Sequence, residues 1–206
     1  MHVLLINGSP HEKGCTYTAL SLVAGELNAA GITTEILNVG TKPVGGCIGC
    51  GGCAKGNGCV FGGVVNEAIE KAKTADAFVF GSPVHYASAA GNMASFMDRL
   101  AYAGGKYLAY KPAAICCSAR RAGTTATLDQ LAKYPEFFHM PLVSGSYWPM
   151  VHGSNPEQVL QDEEGCAVMK ELGRNMAWLL QCIAAGRAAG VPEPIQEERA
   201  WTNFIR

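Results

Sequence analysis

The chain of 206 residues lacks any excess of charge of one sign, with sixteen basic side chains against seventeen acidic ones and no Lys/Arg cluster. That balance argues against a nucleic-acid partner, whose phosphates demand concentrated positive charge. Long apolar runs are missing too. The stretch 176–183 is broken by Gln181 and is too short to span a bilayer. Residues 1–5 lack a basic region followed by a long apolar stretch, so no secretory leader is expected and cytoplasm is the default compartment. No internal repeat or low-complexity linker divides the sequence, and a single domain over residues 1–206 is expected. Cysteine, by contrast, is plentiful. Of nine cysteines, four fall between 47 and 59, a crowding that in a reducing compartment suggests metal or redox chemistry more than disulfides.

The chain is organised around residues 3–18. Val3-Leu4-Leu5-Ile6 is an uninterrupted β-prone apolar run, the pattern of a strand buried on both faces of a parallel sheet. Asn7-Gly8-Ser9-Pro10 then turns the chain, and residues 16–30 read as a helix with Leu20, Val23, Ala24 and Leu27 on one face. Such a loop offers free backbone N–H groups and the positive end of a helix dipole, a setting that binds phosphate. Ser9, Thr16, Tyr17 and Thr18 add hydroxyls. It is not a Walker loop, because Gly14 is followed by Cys15-Thr16 where that motif needs Lys and Ser/Thr. Nor does a G-x-G-x-x-G open the helix. A hydroxyl-rich loop with only His11 and Lys13 as basic groups suits the FMN phosphate of flavodoxin-type folds, and an ordinary polar turn has the same composition.

Residues 33–39 read as a second strand, followed by a Gly/Cys-rich insert over 40–63. A helix over 64–74, a strand over 77–80 ended by Gly81-Ser82-Pro83, and a helix over 89–102 come next. A fourth strand is expected over 113–117, a helix over 124–134, a fifth strand within 139–147, and a long closing helix over 163–190. Strands alternating with helices imply a doubly wound α/β fold with a five-stranded parallel sheet. In the flavodoxin-like order 2-1-3-4-5, ligands bind where the strand order reverses, so the loops 9–18, 83–91 and 118–124 should converge. The tail 192–206, with Trp201, Phe204 and Ile205, is too apolar to dangle in water and is expected to pack on a neighbouring subunit.

Gly8-Ser9-Pro10 with Gly14 and Thr16, Gly81-Ser82-Pro83-Val84-His85-Tyr86, and Phe96-Met97-Asp98-Arg99 together resemble the NADPH-dependent FMN reductase and multimeric-flavodoxin family. Within that family, Cys47-x2-Cys50-x2-Cys53-x5-Cys59 resembles the compact cysteine motif of the iron–sulfur flavoproteins. The resemblance implies FMN bound in a homodimer or homotetramer. Carried over, Ser9, His11, Cys15, Thr16 and Tyr17 would surround the phosphate. Pro83, Val84, His85 and Tyr86 would lie along the isoalloxazine ring, and Ser118, Ala119, Arg120, Gly123 and Thr124 would meet its pyrimidine edge.

The cysteine spacing itself leaves alternatives open. Short C-x2-C-x2-C spacing supplies three thiolates from one loop, as a [4Fe–4S] cluster requires. A single zinc also takes four thiolates, although zinc sites more often pair two distant C-x2-C knuckles. A Gly-rich loop with free thiols is the third reading. Cys116, Cys117, Cys166 and Cys182 read as small hydrophobes, and no catalytic acid or base is assigned. The expected function is an FMN-dependent oxidoreductase, linked to NAD(P)H or a ferredoxin-type partner and passing electrons to quinone-like or one-electron acceptors. An electron-transfer module without a small substrate and a zinc-stabilised α/β protein are the alternatives.

Overall fold

The computed structural model describes residues 1–195, 197, 200, 202 and 203. Trp201, Phe204 and Ile205, assigned above to subunit packing, lie outside the described residues. Strand β1 (His2–Asn7) pairs in parallel with β2 (Thr33–Asn38) on one side and β3 (Ala77–His85) on the other. β3 pairs with β5 (Ala113–Ala119), and β5 with the short β6 (Met150–His152), both in parallel. β4 (Ser88–Ala89) folds back antiparallel onto the end of β3. The sheet order is β2-β1-β3-β5-β6, which is the expected 2-1-3-4-5 once the β4 hairpin is set aside.

Alternation along the strands divides the apolar residues between two cores. Leu4 and Ile6 of β1, with Phe78 and Phe80 of β3, face helices α2 (Val64–Thr74), α3 (Gly91–Gly104) and α4 (Thr124–Phe137). Val3 and Leu5, with Ala77 and Val79, face α1 (Cys15–Ala29) and α6 (Glu163–Ala188). Both faces of β1 are therefore dry, and Val3, Leu4, Leu5 and Ile6 are all buried. A one-turn helix, α5 (Pro156–Val159), leads into α6, whose first turn is capped by the Asp162 carboxylate accepting from Gly165 N–H at 3.0 Å.

Three expectations need correction. The fifth strand lies at β6, not within 139–147, where only Leu142 bridges to Ala113. Pro141 and Pro149 carry no N–H for a ladder, and Ser144-Gly145-Ser146 favours a turn. β3 does not stop at Gly81 but runs through Pro83 to His85, because the Pro83 position pairs with Ser118 without needing a donor. The helix expected from 89 begins at Gly91, residues 88–89 being taken by the hairpin. Residues 40–63 carry no regular structure except a 3₁₀ turn at Gly52–Lys55.

Candidate functional site

The carboxyl ends of β1, β3 and β5 carry the three loops singled out from the sequence. Buried Asn7, the last residue of β1, shapes the first of them. Its Nδ2 donates to Asn38 Oδ1 at 2.8 Å and to Glu12 O at 3.1 Å, and its Oδ1 accepts from Ser9 N–H at 3.1 Å. Ser9 Oγ in turn accepts from His11 N–H at 3.1 Å. The loop is thus folded by its own polar groups before helix α1 begins. Gly14 is the N-cap of α1, so no side chain caps the helix and no acidic residue stands in its first turn. Such an end suits an anion.

The other two loops are tied to the first. Gly8 N–H donates to Gly81 O at 2.9 Å, and the hydroxyls of Thr16 and Ser118 share a buried hydrogen bond of 2.8 Å. A turn at Tyr86 (φ 48°) and Ala87 (φ 60°) joins β3 to β4. Both residues sit in the left-handed region that Asn and Gly fill in most two-residue hairpins. The hairpin is held on α4 by Gln130, whose Oε1 accepts from Ser88 Oγ at 2.7 Å and Ala89 N–H at 3.1 Å. Gly123 (φ +94°) closes on it from the third loop, where a Cβ would come within 2.5 Å of Ala87 Cα.

Ser9, Thr16, Ser118, Ala119 and Thr124 are buried, Cys15, Tyr17, Pro83, Val84 and Gly123 half-buried, and His11, His85, Tyr86 and Arg120 exposed. Tyr86 has no cover at all. The Cys15 thiol donates to Gly153 O at 3.5 Å, and burial raises its pKa. The composition suits a phosphorylated ring. Hydroxyls and uncapped amides gather at α1, and close-approach glycines flank the crest between β1 and β5.

Residue spacing could not show what holds this rim. A Cβ on Gly40 would lie 2.3 Å from Ser9 O and 2.4 Å from Gly8 O, so the chain leaving β2 supports the first loop from below. Asn92, near the start of α3, donates to Gly40 O at 3.1 Å and Lys42 O at 2.9 Å and accepts from Val44 N–H at 3.1 Å. Neither residue belongs to a recognisable motif. Their roles depend on contacts between segments about thirty and about fifty residues apart.

Cys47, Cys50, Cys53 and Cys59 all line one concavity of about 240 Å³, together with Phe61, Arg99 and Tyr102. All four are free thiols. Among the described residues, no three His, Cys, Asp or Glu side chains converge as metal ligands. The structure gathers the four sulfurs around one hollow without closing them on a common point. The donor set is purely thiol, which suits iron–sulfur or zinc and no hard cation. A larger hollow of about 570 Å³ between α3 and α4, lined by Tyr102, Tyr134 and Phe137, contains none of the rim residues.

Sheet order and the loops at the switch point define a flavodoxin-like α/β protein. The family model of NADPH-dependent FMN reductases matches residues 1–155. The chain belongs to that family and is an oxidoreductase. Iron–sulfur flavoproteins are among its relatives. One, from Methanocaldococcus jannaschii, is 28% identical over 192 residues, covering 89% of this chain and 99% of that protein. Another, from Archaeoglobus fulgidus, is 29% identical over 175 residues, covering 83% of this chain and 86% of the relative. Of solved structures, an NAD(P)H:quinone oxidoreductase from Methanothermobacter marburgensis shares the fold with a TM-score of 0.64 at 18% identity, over 85% of this chain and 96% of that one. No helix among the described residues is long and apolar enough to cross a membrane.

Proposed function

We propose that this protein is an FMN-dependent oxidoreductase that accepts electrons from NAD(P)H or a ferredoxin-type donor and delivers them to quinone-like or one-electron acceptors. The reading rests on the uncapped start of α1, joined to β5 through the Thr16–Ser118 hydrogen bond at the point where strand order reverses. Backbone N–H groups of Cys15, Thr16 and Tyr17, with the Ser9 hydroxyl, would take the phosphate, and His11 would stand at its open side. Pro83, Val84, His85 and Tyr86 would flank the ring. Ser118, Ala119, Arg120, Gly123 and Thr124 would bound its polar edge. Bound FMN supplies the exchange between paired and single electrons that the side chains do not. The chain's part is to bind the ring, hold it against the rim and keep water from one face.

Cys47, Cys50, Cys53 and Cys59 would hold a [4Fe–4S] cluster, extending the path to one-electron partners. Two observations support this: the four thiols share one hollow, and two relatives covering most of the chain bear the name iron–sulfur flavoprotein. A homodimer or homotetramer completes the proposal, the bare ring of Tyr86 being the surface a second copy would cover.

Anaerobic purification with excess FMN, followed by assay of flavin, iron, sulfide and zinc per chain, tests both parts. About one FMN per chain, with about four iron and four sulfide, is the expected result. Colourless protein that does not retain FMN overturns the flavin reading. One zinc without iron overturns the cluster alone.

A further inference from the structure

Arg99 lies on the buried face of α3 with 6% of its surface exposed. A buried guanidinium calls for a carboxylate or an equivalent set of acceptors, because removing its charge from water is costly. Among the described residues no carboxylate forms an ion pair with it. Its partners all belong to the cysteine insert. Nη1 donates to Gly45 O at 3.3 Å, Nη2 to Gly62 O at 3.0 Å, and Nε to Cys59 Sγ at 3.2 Å. The same guanidinium lies 5.5 Å from the centroid of Phe61, in cation–π contact. Gly45 precedes the first cysteine of the motif and Gly62 follows the last. One side chain therefore spans both ends of the loop and reaches a sulfur.

Cys59 is held from a second direction. The side-chain amide of Asn66, on α2, accepts from Cys59 N–H at 2.8 Å and donates to Cys59 O at 3.0 Å. Cys47 and Cys50 are exposed, on a stretch where Gly49 and Gly51 adopt positive φ. The four thiols are thus unequal: Cys59 is clamped through backbone and sulfur, Cys53 is half-buried in the 3₁₀ turn, and Cys47 and Cys50 are exposed.

We propose that Arg99 is the positioning residue of the cysteine loop. It staples the loop's two ends, fixes Cys59 as the preset ligand around which the other three close, and supplies the positive charge that an anionic thiolate-bound group requires. This inference rests on the cluster reading for its charge role but not for its staple role. Hydrogen bonds to cluster sulfurs and local net charge both govern reduction potential. Removing this donor and its charge should lower the potential of a cluster held here.

The test compares wild type with Arg99→Met, which keeps the apolar stem, and Arg99→Lys, which keeps the charge but cannot span three acceptors. In metal-free protein, maleimide labelling read per cysteine by mass spectrometry as the limiting rate at alkaline pH, where both proteins present Cys59 fully as thiolate, should show Cys59 of Arg99→Met reacting about tenfold faster, the worth of one charge-assisted hydrogen bond. Exposed Cys182 should be unchanged, and Cys116 and Cys117 should stay protected. In reconstituted protein, Arg99→Met should shift the cluster potential downward, with Arg99→Lys restoring most of it. Wild-type labelling of Cys59 in Arg99→Met overturns the staple, and an unmoved potential overturns the charge role. Faster labelling that extends to Cys116 and Cys117 in both variants also overturns the assignment, because Arg99 would then hold the fold and not the loop. Wild-type protein that takes up no iron removes the cluster, and the metal-free labelling then decides the staple by itself.

Discussion

Replacing Gly40 with Ala tests whether the chain leaving β2 supports the phosphate loop. The added methyl would sit 2.3 Å from Ser9 O and 2.4 Å from Gly8 O, well inside van der Waals contact. Neither carbonyl can retreat freely. Ser9 N–H is bonded to Asn7 Oδ1, and Gly8 already packs so closely on Met93 that a Cβ there would lie 2.8 Å from its side chain. Overpacking of this kind costs about 1–3 kcal/mol. For a chain of this size that corresponds to a fall in melting temperature of about 2–12 °C. Because the strain falls on the loop proposed to hold the phosphate, FMN should also dissociate about tenfold more readily, the equivalent of about 1.4 kcal/mol. Differential scanning fluorimetry of the flavin-free protein and titration of flavin fluorescence measure the two effects. Gly25→Ala is the control: on α1, with nothing within 4 Å of the new methyl, it should raise stability slightly through helix propensity. A Gly40→Ala protein that melts within about 1 °C of wild type and binds FMN equally well refutes the argument.

Three further outcomes are expected. Thr16→Val leaves the buried Ser118 hydroxyl without its partner and should cost about 1–3 kcal/mol in urea denaturation, with Thr16→Ser recovering most of it. Ala87→Gly relieves a positive φ and should raise the melting temperature by about 2 °C, whereas a fall would show that the turn is not strained there. Burial pushes the Cys117 thiol up to about 12 from its ordinary 9.0, and its buried neighbour Cys116 higher still. Both stay protonated in the fold while the unfolded chain ionises, so their contribution is complete below about pH 9 and lost progressively as pH rises toward 12. Between pH 8 and 10 the pair should account for about 2–3 kcal/mol of lost stability. The Cys116→Ala/Cys117→Ala variant should show a correspondingly flatter profile in urea midpoints, and an equal slope would refute the assignment.

Elements whose burial leaves a local pattern were readable from the residues. β1 and β3 are dry on both faces and announce themselves as apolar runs, and the apolar spacing of residues 64–74 marks the helix at its observed bounds. β6 was not readable, because three residues are too few to express an alternation and its pairing with β5 is set by distant contacts. The hairpin was hidden for a different reason: Tyr86 and Ala87 occupy positions that local propensity would assign to Asn and Gly. The three rim loops were located through their small and hydroxyl-bearing residues. What braces them is not legible there: Asn92 bonds the Gly40 and Lys42 carbonyls about fifty residues away and Gln130 holds the hairpin about forty residues away, contacts that leave no local signature. Arg99 is one letter of a family motif in the sequence, and its burial against the cysteine insert is visible only in three dimensions.

The far margin of the sheet has a consequence for how copies of this protein can meet. β6 offers only three residues of ladder, and the segment before it is interrupted by Pro141 and Pro149. An incoming chain seeking to prolong the sheet there would find too few consecutive donors and acceptors to hold it. Growth by strand addition, the route to fibres, is closed on that side. A copy docking on that side would have to do so through side-chain surfaces instead.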